Sequence, residues 1–199
     1  MIKQMKDKIR NTAAHLFAEH GYKATSMQQI ADEVGVTKAA LYYHYVSKDK
    51  LFLDIITDTS SELITLHHKF SESNLPVWEI LEQWVEMMFQ YSKIKKDHWL
   101  IINKFLSDNI KDRVFEVFMH FWKESYNSMN QIITKGMKEG QIRSDMDSRL
   151  ITSSIFGIIH GQFTTSWWNK FEIDDNLIKK SILGILQGGI ASDVYKKNV

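Results

Sequence analysis

The segment of residues 9–51 constrains the fold more than any other part of the chain, because it combines the start and stop signals of two short, consecutive helices. Ser26 precedes an apolar helical pattern and has Gln29 three residues later, which is the capping box that begins a helix. Gly35 lies where a helix end needs a left-handed residue, and Thr37 can cap a second helix. These signals predict a helix-turn-helix.

The second of these helices has an unusual set of outward side chains. Leu41 and Tyr45 are four residues apart and can face inward together. The side chains that remain then point largely outward: Lys38, Tyr42, Tyr43 and His44. A short helix with exposed aromatic rings, an imidazole and a Lys makes a poor solvated surface, whereas it suits insertion into a DNA groove.

The same segment resembles the DNA-binding domain of TetR/AcrR-type transcriptional repressors. The residues that carry the resemblance are Gly21-Tyr22-x-x-Thr25-Ser26-x-x-x-Ile30-Ala31-x-x-x-Gly35-Val36-Thr37-Lys38-x-x-Leu41-Tyr42-Tyr43-His44-Tyr45-x-Ser47-Lys48-Asp49-x-Leu51. They match in register without a gap, over about the first quarter of the chain. The resemblance implies a ligand-responsive, homodimeric repressor, not an enzyme, that a small apolar or aromatic inducer releases from a palindromic operator.

The resemblance also implies roles for individual residues of the helix pair. We expect Lys38, Ala39, Ala40 and Tyr43 to contact base edges, with Gln28 as a further candidate. Side chains and helix N-terminal amides at five positions are expected to hold phosphates: Ser26, Thr37, Tyr42, His44 and Lys48.

Composition favours an all-α protein without secretion or membrane signals. A single proline, Pro76, and little β-branched alternation argue for helices throughout. The chain lacks cysteine, an apolar leader and any stretch of transmembrane length, so we expect a cytoplasmic protein with no disulfide. Residues 1–50 carry eight Lys and Arg against five Asp and Glu, which suits a basic head that meets phosphates.

Helical periodicity predicts about nine helices in two domains. Residues 1–46 form a three-helix DNA-binding head, and residues 47–199 form a larger ligand-binding and dimerisation body. The body helices are predicted at about 48–70, 76–92, 98–107, 112–138, 148–169 and 176–194.

The body is rich in aromatic residues, since all six Trp and ten of eleven Phe follow residue 50. Most are explained by core packing, but rings also line pockets for bulky apolar ligands. Family resemblance places the pocket among the fourth to eighth helices, where the candidates are Trp84, Met88, Tyr91, Phe105, Trp122, Tyr126, His160 and Phe163.

Small residues recur in the last two predicted helices. Gly157 and Gly161 lie in one, and Gly184, Gly188 and Gly189 in the other. Because a helical glycine costs about 1 kcal/mol relative to alanine, several together indicate close helix approach. We expect a dimer interface at residues 148–169 and 176–194; packing within the chain is the alternative.

Other kinds of site find little support in the sequence. No two of the body's histidines have the four-residue spacing of a zinc-binding helix face, and no phosphate loop or catalytic triad stands out, so no metal or cofactor is expected. A helical enzyme or carrier that uses the aromatic body is the alternative function. The exposed Tyr42-Tyr43-His44 cluster argues against it.

Overall fold

The computed structural model describes residues 2–105, 112–169 and 174–197. In these ranges the chain forms α-helices and no strand, which confirms the predicted all-α class. The helices are α1 (Ile2–His20), α2 (Met27–Val34), α3 (Lys38–His44), α4 (Lys48–Ser71), α5 (Val77–Ile94), α6 (Lys96–Phe105), α7 (Asp112–Lys138), α8 (Ser148–Asn169), α9 (Asp175–Ile190) and α10 (Asp193–Lys197). The bounds of α7 and α8 are those predicted; the predicted end of the sixth helix at residue 107 lies outside the described residues.

The chain divides into two compact units. The first contains Met1–Leu63 and Ser92–Phe121, and the second contains Ile64–Tyr91 and Trp122–Val199. The divisions fall inside α4, α5 and α7, so each of these helices contributes residues to both units. The domain boundary predicted after residue 46 stays a prediction.

The first unit is built on an apolar core shared by its helices. Three aromatic rings in this core have centroids 4.9 to 5.5 Å apart: those of Phe17 in α1, Tyr22 in the loop after α1, and Phe52 in α4. Ile101 of α6 is buried in the same core. Since burial of a large apolar side chain stabilises by roughly 1.5–3 kcal/mol, this core holds α2 and α3 against α1 and α4.

The second unit contains a tight side-chain contact at a helical glycine that the sequence did not reveal. A Cβ atom at Gly136 of α7 would lie 2.9 Å from Cγ1 and Cδ1 of Ile142 and 3.0 Å from Cγ1 of Val77. Gln141 follows α7 and accepts a hydrogen bond from the Val77 amide through its side-chain oxygen, at 3.2 Å. The end of α7 and the start of α5 are therefore packed together at residue 136.

The C-terminal helix is shorter than predicted. We expected one helix to residue 194, whereas α9 ends at Ile190 and the five-residue α10 follows. Ala191 is extended, with φ −64° and ψ 141°, and forms an isolated antiparallel bridge with Ile142. The Arg143 amide donates to the Ile190 carbonyl at 2.9 Å. A pairing with a distant segment thus ends the helix, and the described chain has ten helices where nine were predicted.

Candidate DNA interface and ligand site

The first helix of the pair, α2, begins with the capping box that the sequence predicts. The Ser26 hydroxyl accepts a hydrogen bond from the Gln29 amide at 3.2 Å, and the Ser26 amide donates to the Gln29 side chain at 2.7 Å. Gln28 is exposed and donates to Asp32 at 2.7 Å. Since a hydroxyl that accepts one bond can still donate another, the capping of Ser26 is compatible with a phosphate contact.

The turn between the helices also follows the predicted signals. Gly35 has φ 78° and ψ 36°, and its amide donates to the carbonyls of Ala31 and Asp32, which ends α2. Thr37 is extended, and its hydroxyl accepts from the Ala40 amide at 3.1 Å, which begins α3. These short-range bonds define the direction in which α3 leaves the turn.

The outer face of α3 carries the side chains expected at DNA. Tyr43 is 82% exposed and Tyr42 is 40% exposed, whereas Leu41 and Tyr45 are buried as predicted. The ring of half-buried His44 meets that of Tyr43 edge to face at 5.5 Å. Exposed neighbours complete this face: Lys38, Ala39 and Ala40.

A polar network supports the inner side of α3. The Tyr45 hydroxyl donates to Asp54 of α4 at 2.6 Å, and burial together with this bond raises the Tyr45 pKa. Arg10 of α1 lies 3.4 Å from Asp54 and 3.2 Å from Asp58. The last turn of α3 is therefore tied to α4, and α4 to α1.

Lys48 is already engaged within the protein. Its ammonium donates to the carbonyls of Tyr22 at 2.7 Å and Thr25 at 2.8 Å. It also lies 4.4 Å from the centroid of the Tyr22 ring. The phosphate role expected for this residue therefore has an intramolecular competitor.

The second unit contains a cluster of aromatic rings of which three are buried and one, that of Trp122, is half-buried. Phe156 of α8 lies edge-on to Trp84 of α5 at 5.7 Å and to Trp122 of α7 at 5.4 Å. His67 of α4 lies 6.0 Å from Trp84 and 6.3 Å from Phe156. Four helices thus contribute to the aromatic cluster, defined here as His67, Trp84, Trp122 and Phe156.

The structure brings only some of the predicted ligand residues into this cluster. Trp84 and Trp122 belong to it. Met88 and Tyr91 are buried on α5, while the half-buried Tyr126 donates its hydroxyl to the Arg149 carbonyl at 3.0 Å. His160 is exposed. The remaining two candidates are Phe105 and Phe163, whose side chains are not among those that the structure describes.

Sequence reasoning missed His67 and Phe156. His67 is 2% exposed, and burial lowers its pKa to about 4, with a smaller contribution from His68. The imidazole is consequently uncharged near neutral pH. Its spacing of four from the buried Leu63 was the available signal, since both lie on the inner face of α4.

An open groove of about 800 Å³ lies elsewhere in the second unit, between α5 and α9. Glu79, Glu82 and Glu86 line one side and Lys179 and Lys180 the other. Lys179 and Glu86 form an ion pair at 2.5 Å. The charged walls of this groove differ from the apolar surroundings expected for the ligand.

Two negative findings concern the described residues alone. None of their helices has the length and hydropathy needed to cross a bilayer. Their His, Asp and Glu side chains form no group of three that could hold a metal ion.

Comparison with known proteins identifies relatives along most of the chain. Residues 9–55 match the family model of bacterial regulatory proteins, tetR family, and residues 79–189 match the model of the C-terminal region of YsiA-like proteins. The HTH-type transcriptional repressor KstR2 of Rhodococcus jostii is 27% identical over 146 residues, which is 71% of this chain and 70% of that protein. The fatty acid metabolism regulator protein of Bacillus subtilis is 25% identical over 162 residues, or 79% of this chain and 80% of that protein.

A solved structure has the same fold. The transcriptional regulator FadR from Bacillus subtilis in complex with stearoyl-CoA superposes with a TM-score of 0.73 at 23% identity. The superposition covers 92% of this chain and 98% of that structure.

Proposed function

The chain belongs to the TetR family of bacterial regulatory proteins and is a DNA-binding transcriptional regulator, and we propose that it acts as a homodimeric repressor that a largely apolar ligand releases from a palindromic operator. The observation that carries the DNA part is the exposure of Tyr43, at 82%, on a short helix capped at its start and supported on its inner side. A large ring that is mostly exposed to water is unfavourable, and insertion into a DNA groove removes that cost.

The proposed base contacts lie on the outer face of α3. Lys38, Ala39, Ala40 and Tyr43 face the base edges, and Gln28 of α2 is a further candidate once it leaves Asp32. Ser26, Thr37, Tyr42 and His44 contact phosphates, the first two through hydroxyls that also cap α2 and α3.

The proposed ligand site is the aromatic cluster of the second unit. Its rings present apolar faces, and the His67 imidazole, with a pKa of about 4, brings no charge. Because a buried charge without a partner is costly, the part of the ligand that enters the cluster is neutral and apolar. The relatives' names support an acyl compound, since one is a fatty acid metabolism regulator and the FadR structure holds stearoyl-CoA. We therefore propose a long-chain fatty acyl thioester.

Dimerisation is proposed through α8 and α9. A Cβ atom at Gly157, Gly161, Gly184, Gly188 or Gly189 would meet nothing within 4 Å, so the described chain itself does not explain these glycines. Apolar side chains are exposed on the same helices, with Leu150 at 65% and Ile185 at 58%. Recognition of a palindromic site by a dimer requires the two copies of α3 to lie about one DNA turn apart, roughly 34–36 Å. The location is then the cytoplasm, where operator DNA lies.

Release requires that the ligand bind more tightly to a conformation that does not fit the operator. A 100-fold preference corresponds to about 2.7 kcal/mol per site, and DNA must weaken ligand binding by the same factor. We propose that α4 transmits this preference, since its residues belong to both units.

The first test measures, by fluorescence anisotropy, how tightly the protein binds DNA from upstream of its own gene. The measurement is made with and without palmitoyl-CoA. We expect tight binding to this DNA, weaker binding to a shuffled duplex, and release by palmitoyl-CoA but not by free coenzyme A. Calorimetric titration of palmitoyl-CoA into free protein and into the protein–DNA complex measures the coupling. Equal affinities in the two titrations would contradict the proposed release mechanism.

A variant of the cluster separates the two binding activities. Trp122 is only half-buried, so Trp122→Ala is less disruptive than a change at Trp84. We expect Trp122→Ala to bind DNA as the wild type does and to lose response to palmitoyl-CoA. Unchanged ligand affinity in this variant would exclude the aromatic cluster as the site.

A further inference from the structure

Lys48 occupies a position where a helix does not favour a positive charge. It is the first residue of α4, and the N-terminus of a helix carries a partial positive charge. Its ammonium compensates by donating to two carbonyls, those of Tyr22 at 2.7 Å and Thr25 at 2.8 Å. Both acceptors lie in the loop that joins α1 to α2.

The same loop is held at a second point by the next residue of α4. Asp49 accepts a hydrogen bond from the Tyr22 hydroxyl, while the Lys48 ammonium lies 4.4 Å from the centre of that ring. The Tyr22 ring also packs on Phe17 and Phe52, so it is fixed between α1 and α4. Cation, ring and carboxylate together form what we call the Lys48 clamp, made of Lys48, Asp49, Tyr22 and Thr25.

The position of Thr25 gives the clamp its consequence. Thr25 is 2% exposed, and its hydroxyl donates to the Gly21 carbonyl at 2.9 Å, so the loop is rigidly packed. The next residue, Ser26, is the N-cap of α2. An ammonium bound to the Thr25 carbonyl therefore determines where α2 begins relative to α4.

We propose that Lys48 is a positioning residue that holds the start of α2 for DNA binding through the clamp, and that it does not bind phosphate itself. Two of the three N–H donors of the ammonium go to the carbonyls of Tyr22 and Thr25, and the centroid of the Tyr22 ring lies 4.4 Å from it, so a phosphate would have to share the ammonium with the clamp. The proposal rests on the proposed DNA-binding function, but its effect on folding can be measured without DNA.

Two substitutions separate the clamp from a phosphate contact. Lys48→Met removes the charge and keeps an unbranched stem. Lys48→Arg keeps the charge but replaces a compact ammonium with a planar guanidinium, which cannot donate to the two carbonyls in the same directions. If Lys48 bound phosphate, Lys48→Arg would retain DNA affinity. If Lys48 acts through the clamp, both variants lose stability and DNA affinity.

The measurements are the melting temperature without DNA and the salt dependence of binding to the upstream DNA. We expect both variants to lower Tm by about 3 °C or more, since hydrogen bonds to a charged group are lost. At temperatures where they remain folded, both should bind DNA at least about 10-fold more weakly, with the wild-type slope of log K against log salt. A phosphate contact would instead lower the slope by about 0.9 in Lys48→Met.

Lys38→Met is the matched control, because Lys38 is exposed on α3 and is proposed to face DNA. It should leave Tm unchanged and weaken binding to the upstream DNA more than binding to a shuffled duplex. A Lys48→Met variant with the wild-type Tm would overturn the clamp, whether or not DNA is bound. A lower Tm with wild-type affinity would reduce Lys48 to a purely structural role. Failure of the wild type to bind DNA would reject the proposed function, while the Tm of Lys48→Arg would still test the clamp.

Discussion

At the scale of single residues, Tyr43 is the side chain whose removal should most directly affect operator recognition. Its ring is 82% exposed, so Tyr43→Ala removes few contacts within the protein. We expect an unchanged Tm and a loss of specific affinity of about 10- to 100-fold at matched salt, as loss of base contacts typically costs 1–3 kcal/mol. Anisotropy with specific and shuffled duplexes measures this difference.

Val46→Ala is the control for Tyr43. Val46 is 74% exposed and lies just beyond α3, so its truncation removes exposed apolar surface outside the helix. It should bind as the wild type does. Operator binding by Tyr43→Ala at wild-type strength would show that α3 is not the base-reading helix.

Two buried histidines give the protein a predicted dependence of stability on pH. Burial lowers the pKa of His67 and of His98, each to about 4 from an ordinary value of 6.5, and both are at most 4% exposed. Between these values the unfolded chain binds protons that the folded chain does not. Stability is therefore complete above about pH 6.5 and falls as the pH drops towards 4, by roughly 2–3 kcal/mol per histidine.

Urea unfolding at a series of pH values tests this prediction. His67→Leu and His98→Gln should each flatten the fall in unfolding free energy between pH 7 and 4.5, whatever their effect at pH 7. The Gln side chain keeps a polar atom that can reach Thr59, which lies 2.8 Å from Nδ1 of His98. An unaltered pH profile in both variants would mean that neither histidine is buried in its neutral form.

At the scale of helices, Gly136 shows how a packing contact can reverse a helix propensity. Alanine is favoured over glycine in an exposed helix by about 1 kcal/mol. At residue 136, however, a Cβ would lie 2.9 Å from Ile142 and 3.0 Å from Val77. We expect Gly136→Ala to destabilise the protein by about 1–2 kcal/mol, measured by urea unfolding.

Ile142→Val provides the matched test of cause, because it removes the Cδ1 atom that a Cβ at residue 136 would meet. In the double variant, the loss should be smaller than the sum of the two single losses. Strict additivity would mean that the cost of Gly136→Ala does not come from the Cδ1 atom of Ile142.

At the scale of the whole molecule, the proposed dimer depends on a surface of α8 and α9 that the described residues of one chain leave open. A Cβ atom at Gly157 or Gly188 would meet nothing within 4 Å, so there is open space where the side chain of Gly157→Leu or Gly188→Leu would begin. We expect both variants to fold, to be monomeric by light scattering, and to bind DNA weakly, since one head contacts only half of a palindromic site.

Asn127→Leu adds the same side chain at an exposed position of α7 and should leave the dimer intact. If both glycine variants remained dimeric, α8 and α9 would not form the interface. The alternative, in which these glycines pack within the chain, would then require a different conformation of the two helices, because a Cβ there meets nothing within 4 Å.

The sequence by itself determined the features whose causes lie within about one helical turn. The capping box at Ser26, the left-handed Gly35 and the cap at Thr37 depend on bonds between residues three or four apart, and all three are confirmed. The bounds of α7 and α8 follow from periodicity in the same way. Family resemblance added the expected roles of the residues on α3, which remain predictions.

Only the tertiary structure decided the features that join distant segments. Lys48 reaches carbonyls 23 and 26 residues away, and the bridge between Ile142 and Ala191 ends α9 before its predicted end. Burial of His67 likewise depends on Trp84 and Phe156 of other helices. A local pattern specifies which side chain faces inward, but the partner it meets depends on how the helices pack, because that contact forms only when distant segments come together.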